Sequence, residues 1–320
     1  NEPVKCRQFQ KFYYLVAFHL LQLLTPTVLC SLHEWCHTGA SATRYLLCTL
    51  NIVKHFKPLA LTNRLVIIPT YNEKENIGRI ITEIFSLPLA FDVLVIDDQS
   101  PDGTASIVSA MQSVYADRLF LEQRPGKMGL GTAYIHGFKW ALRNGYDYIF
   151  EMDADFSHNP KDLIRLYEPC AHNEADVAIG SRYVKGGKTE NWPLDRSILS
   201  YGASLYVRLI TRMPIKDSTA GFVCYRRQVL EQINLDEIQF WGYAFQIEMK
   251  FTAWKLGFRL KEVPITFVDR KQGTSKMSKG IIKEGILGVL KIQWQSLSRQ
   301  YTHRLRRVPQ NPAHSPHQSQ

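Results

Sequence analysis

The sequence predicts an α/β domain with a mostly parallel central sheet flanked by helices. From residue 63 onward, short apolar runs alternate with helical stretches of about 10 to 15 residues, the spacing of βαβ units. A polar motif follows each of several runs, and ligands of open α/β sheets bind at the carboxyl ends of the strands. With 320 residues and 45% hydrophobic content, the chain is long enough for a well-buried core. We therefore expect the polar motifs to gather along one edge of the sheet.

The elements follow from the positions of the apolar residues. Two segments, residues 194–213 and 281–297, carry apolar residues at helical spacing among basic ones, so both are predicted to be amphipathic helices. The first could lie in a membrane interface or pack against the core, and both alternatives fit its pattern. Other helices are predicted to end near residues 86, 144 and 256. Strands are predicted at 64–69, 92–96, 119–122, 148–152, 176–180 and 259–267, with a further short strand that includes Arg226 and Arg227.

Three regions differ in composition. Residues 1–60 hold six Lys or Arg, two Asp or Glu and an interrupted apolar run, so we interpret them as a leader: a weak anchor, a signal or a non-native extension. Residues 61–298 form the predicted domain, and residues 299–320 are a basic, polar, disordered tail. Four of the six cysteines lie in the leader, which favours a domain without a disulfide framework or zinc site.

The most informative stretch is residues 151–160, where an apolar run ends and two carboxylates, Asp153 and Asp155, stand one residue apart. Hard oxygen ligands select Mg²⁺ or Mn²⁺, which are usually held by one or two carboxylates together with substrate phosphates. A solvated Asp-rich turn is the structural alternative. The other motifs favour the metal interpretation.

Other polar residues complete a pattern that suits a sugar nucleotide. Glu73 and Asp98 follow two predicted strands and can accept hydrogen bonds from a base or ribose, while Lys127, in a Gly-rich loop, could lie near a diphosphate. The net charge of +10 fits anionic lipid, a polyphosphate substrate or nucleic acid and does not choose among them.

These motifs resemble, in order and spacing, the dolichol-phosphate (polyprenol-phosphate) mannose synthases of glycosyltransferase family 2, which have a GT-A fold. The resemblance runs from about residue 64 to 297, and any one motif alone would be weak. The motifs are Pro69-Thr-Tyr71-Asn-Glu73, residues 97–104 with Ile96 and Asp98 as nucleotide contacts, Asp153-Ala154-Asp155 as the metal-binding element, Gly180-Ser181-Arg182, and the basic pair Arg270 and Lys276.

The resemblance implies transfer of mannose from GDP-mannose to a dolichyl or polyprenyl phosphate, with inversion at the anomeric carbon. Asp155 would hold a metal acting as a Lewis acid on the diphosphate. The basic residues Arg182, Arg270 and Lys276 would stabilise negative charge as the bond breaks. Because the acceptor phosphate is already anionic near neutral pH, no strong general base is required. Arg196 and Ser200 match positions where the family holds that phosphate.

The chain also departs from its relatives. Ser157 stands where some relatives carry a Gln that binds the metal, and we expect His158 and Glu248 to be structural, since His prefers softer metals. Some relatives have a pair of C-terminal transmembrane helices, and we expect no such pair here. We therefore expect peripheral contact at the cytoplasmic face of a membrane, through the two amphipathic helices or a small membrane partner subunit. That membrane would be the plasma membrane in a bacterium and the endoplasmic reticulum in a eukaryote.

Two alternatives remain at this point. A related enzyme could transfer glucose or N-acetylglucosamine from a UDP-sugar to a polyprenyl phosphate, since few residues discriminate base or hexose. A non-catalytic module that binds anionic lipid belongs to a different class, but it would not need the metal carboxylates. Nucleic acid is not an expected partner.

Overall fold

The computed structural model describes residues 62–269, 279–298 and Tyr301. The leader, Arg270, Lys276 and nearly all of the tail lie outside the described residues, so the expectations for them stay predictions. The strands are β1 (Arg64–Thr70), β2 (Asp92–Asp97), β3 (Leu119–Gln123), β4 (Tyr148–Glu151), β5 (Val177–Ser181), β6 (Lys188–Glu190), β7 (Val223–Arg226), β8 (Leu260–Pro264) and β9 (Thr266–Val268). The helices are α1 (Ile77–Phe85), α2 (Thr104–Gln112), α3 (Leu130–Asn144), α4 (Asp162–Ala171), α5 (Leu194–Thr211), α6 (Arg227–Gln232), α7 (Tyr243–Lys255) and α8 (Lys279–Ser298).

Seven strands form the central sheet in the order β3-β2-β1-β4-β7-β5-β8. All neighbours pair in parallel except β7, which runs antiparallel to both β4 and β5. The predicted α/β class with a mostly parallel sheet is confirmed. The carboxyl ends of β1, β2, β3 and β4 consequently meet at one edge, as the positions of the polar motifs required.

The prediction of one continuous strand over residues 259–267 is wrong. β8 ends at Pro264, the Ile265 backbone N–H makes the last bond to β5 by donating to the Ser181 carbonyl at 3.0 Å, and the chain continues as β9 in a second sheet. There β9 pairs in parallel with β6, in register from Lys188 with Thr266 to Glu190 with Val268. This small two-stranded sheet lies next to the start of α5 in the chain and supports part of the site.

Two apolar clusters cover the two faces of the central sheet. One packs α3, α6 and α7 against strand residues such as Ile67, Ile96 and Tyr225, and the other packs α1, α2 and α4 against residues such as Val66, Val95 and Cys224. Alternate residues of a strand thus belong to opposite clusters, as the period of two in a pleated strand requires.

Helix α5 turns its apolar stripe outward. Leu194, Ile198 and Leu209 are 81%, 71% and 70% exposed, whereas the helix buries Ser204, Val207 and Thr211. The core-packing alternative for this stripe is therefore wrong. On α8, Leu287, Trp294 and Leu297 are also exposed, and α8 contacts α5. Among the described helices, none combines the length and apolarity needed to cross a bilayer.

Candidate active site

Hydrogen bonds join the loops that follow β1 and β2. The backbone N–H of Asn72 donates to Ser100 Oγ at 3.0 Å, and that of Glu73 donates to Thr104 Oγ1 at 3.0 Å. Asp97, fully buried, accepts from Thr70 Oγ1 at 2.8 Å and from the Ser100 hydroxyl at 2.6 Å. These bonds hold the first two predicted nucleotide motifs together as one surface.

Three non-glycine residues at the carboxyl ends of β1, β2 and β4 adopt left-handed backbone. Their φ angles are 58° at Asn72, 55° at Gln99 and 61° at Phe156. Asn tolerates this region, but a bulky aromatic residue does so only when its surroundings enforce it. Strained backbone of this kind clusters at functional sites. Each of the three acidic motifs thus turns sharply at the sheet edge.

Asp98 is held by an arginine that the sequence did not single out. Arg124, at the end of β3, donates from Nε to Asp98 Oδ1 at 2.7 Å and from Nη2 to Oδ2 at 2.8 Å. Both side chains are more than nine-tenths buried. Arg124 Nη1 also donates to Thr132 Oγ1 at 2.8 Å, which ties the pair to the first turn of α3. Asp98 Oδ2 also accepts from the Met128 backbone N–H at 3.3 Å, so Asp98 organises the Gly-rich loop.

Of the other predicted nucleotide residues, four have side chains that are at least partly exposed and one, Ile96, does not. Lys127 and Tyr71 come together, with Lys127 Nζ 5.0 Å from the centre of the Tyr71 ring, while Pro69 is half-buried at the end of β1. Glu73 Oε2 accepts from Asn76 Nδ2 at 3.2 Å. Ile96 differs, because its side chain is fully buried beneath α3 and leaves only backbone for a ligand.

The acidic motif after β4 places two carboxylates at the same edge. The Asp153 side chain is 38% exposed, whereas Ala154 and Asp155 are buried. Asp155 Oδ1 accepts from the Ser157 backbone N–H at 3.0 Å, so Ser157 supports the second carboxylate through its backbone.

His158 packs behind these carboxylates. Its ring stacks on Phe222 at 4.8 Å and meets Phe267 edge-on at 5.3 Å, and its Nδ1 accepts from the Asp153 backbone N–H at 3.3 Å. Burial lowers the pKa of His158 to about 4, so the imidazole is neutral at neutral pH. These contacts support a structural role in which His158 holds the backbone of the acidic motif.

Asp153 and Asp155 fit a hard divalent ion, since both offer oxygen ligands and one of them is open to solvent. Within the described part of the chain, no group of three or more His, Cys, Asp or Glu side chains is placed to hold a metal ion. Mg²⁺ is commonly bound by one or two carboxylates and completed by substrate phosphates. The two aspartates therefore suit an ion shared with a diphosphate.

Arg182, at the end of β5, is held rigidly. Its Nε and Nη2 donate to the fully buried Asp217 at 2.8 and 2.6 Å, and Nη2 also donates to Thr219 Oγ1 at 3.0 Å. Asp217 is fixed in turn, because its backbone N–H donates to Glu262 Oε1 at 2.9 Å. This bidentate pairing fixes the orientation of the guanidinium.

The two predicted acceptor residues lie on the first turns of α5. Arg196 Nη1 donates to Asp269 at 2.7 Å, with the two side chains 31% and 28% exposed. Ser200 Oγ accepts from the Tyr183 hydroxyl at 2.7 Å. Tyr183 follows Arg182 in the chain, so this bond joins the acceptor candidates to the end of β5.

A buried lysine anchors the segment between Asp217 and β7. Lys250, fully buried on α7, donates to the carbonyl of Ala220 at 2.6 Å and to that of Gln246 at 2.9 Å. Burial lowers the pKa of Lys250 to about 8, and it raises the pKa of the buried Glu151 to about 8, while each charge opposes the shift of the other. Lys250 thereby fixes the loop whose Asp217 holds Arg182.

Sequence reasoning missed Arg124, Asp217 and Lys250, which support the site from behind. A lone Arg, Asp or Lys in a sequence gives no sign of its partner, so none of the three could be found from the sequence alone. Glu248 accepts from the backbone N–H groups of Gln239 and Phe240 at 2.9 and 3.1 Å. That contact supports the structural role expected for Glu248.

Comparison with known proteins identifies the family to which the chain is similar. The sequence profile described as glycosyl transferase family 2 matches residues 65–233. The polyprenol monophosphomannose synthase of Mycolicibacterium smegmatis is 46% identical over 225 residues, which cover 70% of this chain and 84% of that protein. The undecaprenyl-phosphate mannosyltransferase of Micrococcus luteus is 45% identical over 237 residues, covering 73% of this chain and 96% of that protein. The predicted resemblance is confirmed.

Solved structures agree on the fold. Glucosyl-3-phosphoglycerate synthase from Mycobacterium tuberculosis aligns with a TM-score of 0.54 at 17% identity, over 72% of this chain and 79% of that one. Mannosyl-3-phosphoglycerate synthase from Rubrobacter xylanophilus aligns with a TM-score of 0.51 at 18% identity, over 77% and 78% of the chains. The predicted GT-A fold is confirmed.

Proposed function

This chain belongs to glycosyl transferase family 2, and from that membership we propose that it transfers mannose from GDP-mannose to a polyprenyl or dolichyl phosphate. One juxtaposition in the structure carries the proposal. His158, whose Nδ1 accepts from the Asp153 backbone N–H, meets the Phe267 ring at 5.3 Å. The guanidinium carbon of Arg182 is 5.5 Å from the centre of that same ring. The acidic motif after β4 and the arginine after β5 therefore lie beside one aromatic ring. Carboxylates able to hold a metal ion, together with an oriented guanidinium, would stabilise the negative charge that develops when a sugar diphosphate is cleaved. The choice of mannose follows the two bacterial relatives.

On the donor side, we assign a divalent ion, Mg²⁺ or Mn²⁺, to Asp153 and Asp155. When bound, such an ion supplies a Lewis acid for the leaving diphosphate. Tyr71, Glu73 and Asp98 lie on the joined loops where the base and ribose would bind. Lys127, an exposed residue whose Nζ is 5.0 Å from the Tyr71 ring centre, would contact the diphosphate.

On the acceptor side, an oxygen of the lipid phosphate attacks the anomeric carbon of mannose. The bond from that carbon to the GDP oxygen breaks, and GDP leaves with the electron pair. Arg182 stabilises the negative charge in this step, and Arg196 with Ser200 holds the acceptor phosphate. Arg270 and Lys276, outside the described residues, are proposed to add positive charge to the same region.

A transfer assay tests this function. Purified protein is incubated with labelled GDP-mannose, polyprenyl phosphate in detergent and Mn²⁺ or Mg²⁺, with chelator and UDP-glucose in parallel reactions. Lipid-linked mannose should form, and it should disappear with chelator and in Asp155→Asn. Asp147→Asn is the matched control, because Asp147 is an exposed aspartate next to the opposite end of β4 and should keep activity. Transfer from UDP-glucose alone would refute the mannose assignment, and transfer from neither donor would refute the function.

We further propose that the exposed apolar face of α5, together with that of α8, rests on the membrane that holds the lipid acceptor. Arg208 and Arg212 accompany the stripe on α5, and basic residues beside apolar ones favour an anionic lipid surface. We also propose that this contact is at the cytoplasmic face of the membrane, and that a small membrane partner subunit contributes to it.

A flotation assay tests the membrane contact. Ile198→Ser/Leu209→Ser should reduce flotation with vesicles of anionic phospholipid, because it removes two exposed apolar side chains. Val114→Ser is the control, since Val114 is 73% exposed outside α5 and α8. Equal flotation of all three proteins would refute this contact.

A further inference from the structure

Trp192 occupies a fixed place between β6 and α5. Its indole ring meets the ring of Phe267, on the neighbouring strand β9, at 5.3 Å and 76°. The residue that follows, Pro193, is the N-cap of α5. The small two-stranded sheet thus sets where the indole lies relative to the first turn of that helix.

Two arginines from different elements contact this one ring. The guanidinium carbon of Arg196 is 4.3 Å from the ring centre of Trp192, and that of Arg182 is 5.5 Å from it. Each arginine also has its own carboxylate, Asp269 for Arg196 and Asp217 for Arg182. An aromatic face attracts a guanidinium, so a shared ring holds two like charges near each other.

The indole nitrogen supplies a second observation. Trp192 Nε1 is buried, and no hydrogen-bond acceptor reaches it among the described residues. An indole N–H is a donor only, and buried donors are normally paired. A donor beside two guanidiniums suits an anionic oxygen.

The surroundings indicate which anion. α5 begins next to Trp192, and its outer face exposes Leu194 and Ile198 on the same first turns that carry Arg196. A cluster of hydrogen-bond donors, two guanidiniums and an indole N–H, that lies beside an exposed apolar face matches an amphiphile with an anionic head and a hydrocarbon tail. A water-soluble nucleotide has no hydrocarbon chain that could contact the exposed apolar face of α5.

We propose that Trp192 binds the acceptor phosphate: its ring sets the spacing of Arg182 and Arg196, and its N–H donates to a phosphate oxygen. This assignment rests on the proposed function, because it identifies the anion as the prenyl phosphate acceptor. Trp192 would add an uncharged hydrogen-bond donor to the acceptor site, and its ring would fix the distance between the two arginines.

Two substitutions separate the parts of the proposal. Trp192→Phe keeps an aromatic ring and removes the N–H, whereas Trp192→Leu removes both. A hydrogen bond to a charged group corresponds to about a ten- to hundred-fold change in binding. Trp192→Phe should therefore raise KM for polyprenyl phosphate by about ten-fold or more, with KM for GDP-mannose changed less than about two-fold. Trp192→Leu should raise the acceptor KM further, since the arginines lose their common ring.

The matched control is Trp254 on α7, which also packs against an aromatic ring and a cation, Phe251 and Lys255. Trp254→Phe should leave both KM values unchanged. Melting temperatures identify any variant that fails to fold, and Trp192→Phe decides the proposal even if Trp192→Leu is unfolded.

A direct binding measurement tests the role of Trp192 independently of mannose transfer. Farnesyl phosphate is titrated into the wild type and Trp192→Phe by calorimetry, with farnesol as the uncharged control. Binding of farnesyl phosphate that weakens about ten-fold in Trp192→Phe supports the proposal, even if the wild type transfers no mannose and the proposed function fails. Unchanged affinity and acceptor KM in Trp192→Phe, or no binding of farnesyl phosphate to the wild type, would overturn it.

Discussion

Replacing Arg124 by leucine should destabilise the protein far more than removing an exposed arginine. Arg124 donates two parallel hydrogen bonds to Asp98, and the two side chains are only 6% and 9% exposed. Arg124→Leu leaves the buried Asp98 carboxylate without its counter-ion, and breaking a buried pair in this way costs about 3–5 kcal/mol. For a domain of this size, that loss lowers the melting temperature by roughly 6–20 °C.

The comparison uses Arg165→Leu as the control. Arg165 pairs with Asp162 one helical turn away, and its side chain is 46% exposed, so its loss should cost less than about 1 kcal/mol. Urea unfolding followed by circular dichroism measures both variants. If Arg124→Leu costs no more than Arg165→Leu, the pair does not stabilise the fold and the reasoning from burial fails.

A double variant separates stability from donor binding. Asp98→Asn/Arg124→Leu removes the uncompensated charge, so it should recover more than half of the stability lost in Arg124→Leu. GDP binding in the presence of Mn²⁺, measured by calorimetry, should stay weak, because Asp98 is proposed to contact the nucleotide. Recovery of GDP binding together with stability would limit Asp98 to a structural role.

Three further substitutions test the packing and the charges. Asp176→Asn should cost about 2–3 kcal/mol in urea unfolding at pH 7. Burial raises the pKa of Asp176, but hydrogen bonds from Arg259 outweigh it and keep the pKa below 3.8, so the deficit should be constant above about pH 5 and shrink as pH falls below 3.8. Gly137→Ala should cost about 1–3 kcal/mol by thermal unfolding, because an added Cβ would lie 2.8 Å from Ile67, and an equal melting temperature would contradict this packing. Lys250→Met should cost about 2–3 kcal/mol, since two buried carbonyls lose their donor, and unchanged stability would show that they find another.

Periodicity in the sequence located most elements of the fold. Six of the predicted strands and the two amphipathic helices lie within a few residues of their observed bounds, because buried strands and helical stripes depend on local patterns. The break at Pro264 was missed, since a proline inside an apolar run can end a strand or sit at its edge, and only the pairing partners decide which.

For α5, too, the sequence pattern did not show which partner the element contacts. Its residues at helical spacing showed that one face is apolar, and the structure showed that this face points outward. A helical period identifies the residues that share a face, but it contains no information on what that face meets. The orientation follows from how α5 is attached between the two-stranded sheet and the core.

The sequence by itself determined the family, the edge of the sheet where the motifs meet, and the acidic pair Asp153 and Asp155. Strand order in βαβ units brings successive carboxyl ends together, so motifs that follow those strands must converge. Only the tertiary structure decided which charges are paired. Arg124 is 26 residues from Asp98, and Arg182 is 35 residues from Asp217. Such partners are selected by the packing of whole elements, because a hydrogen bond depends on the distance between two side chains in space and not on their separation in the chain.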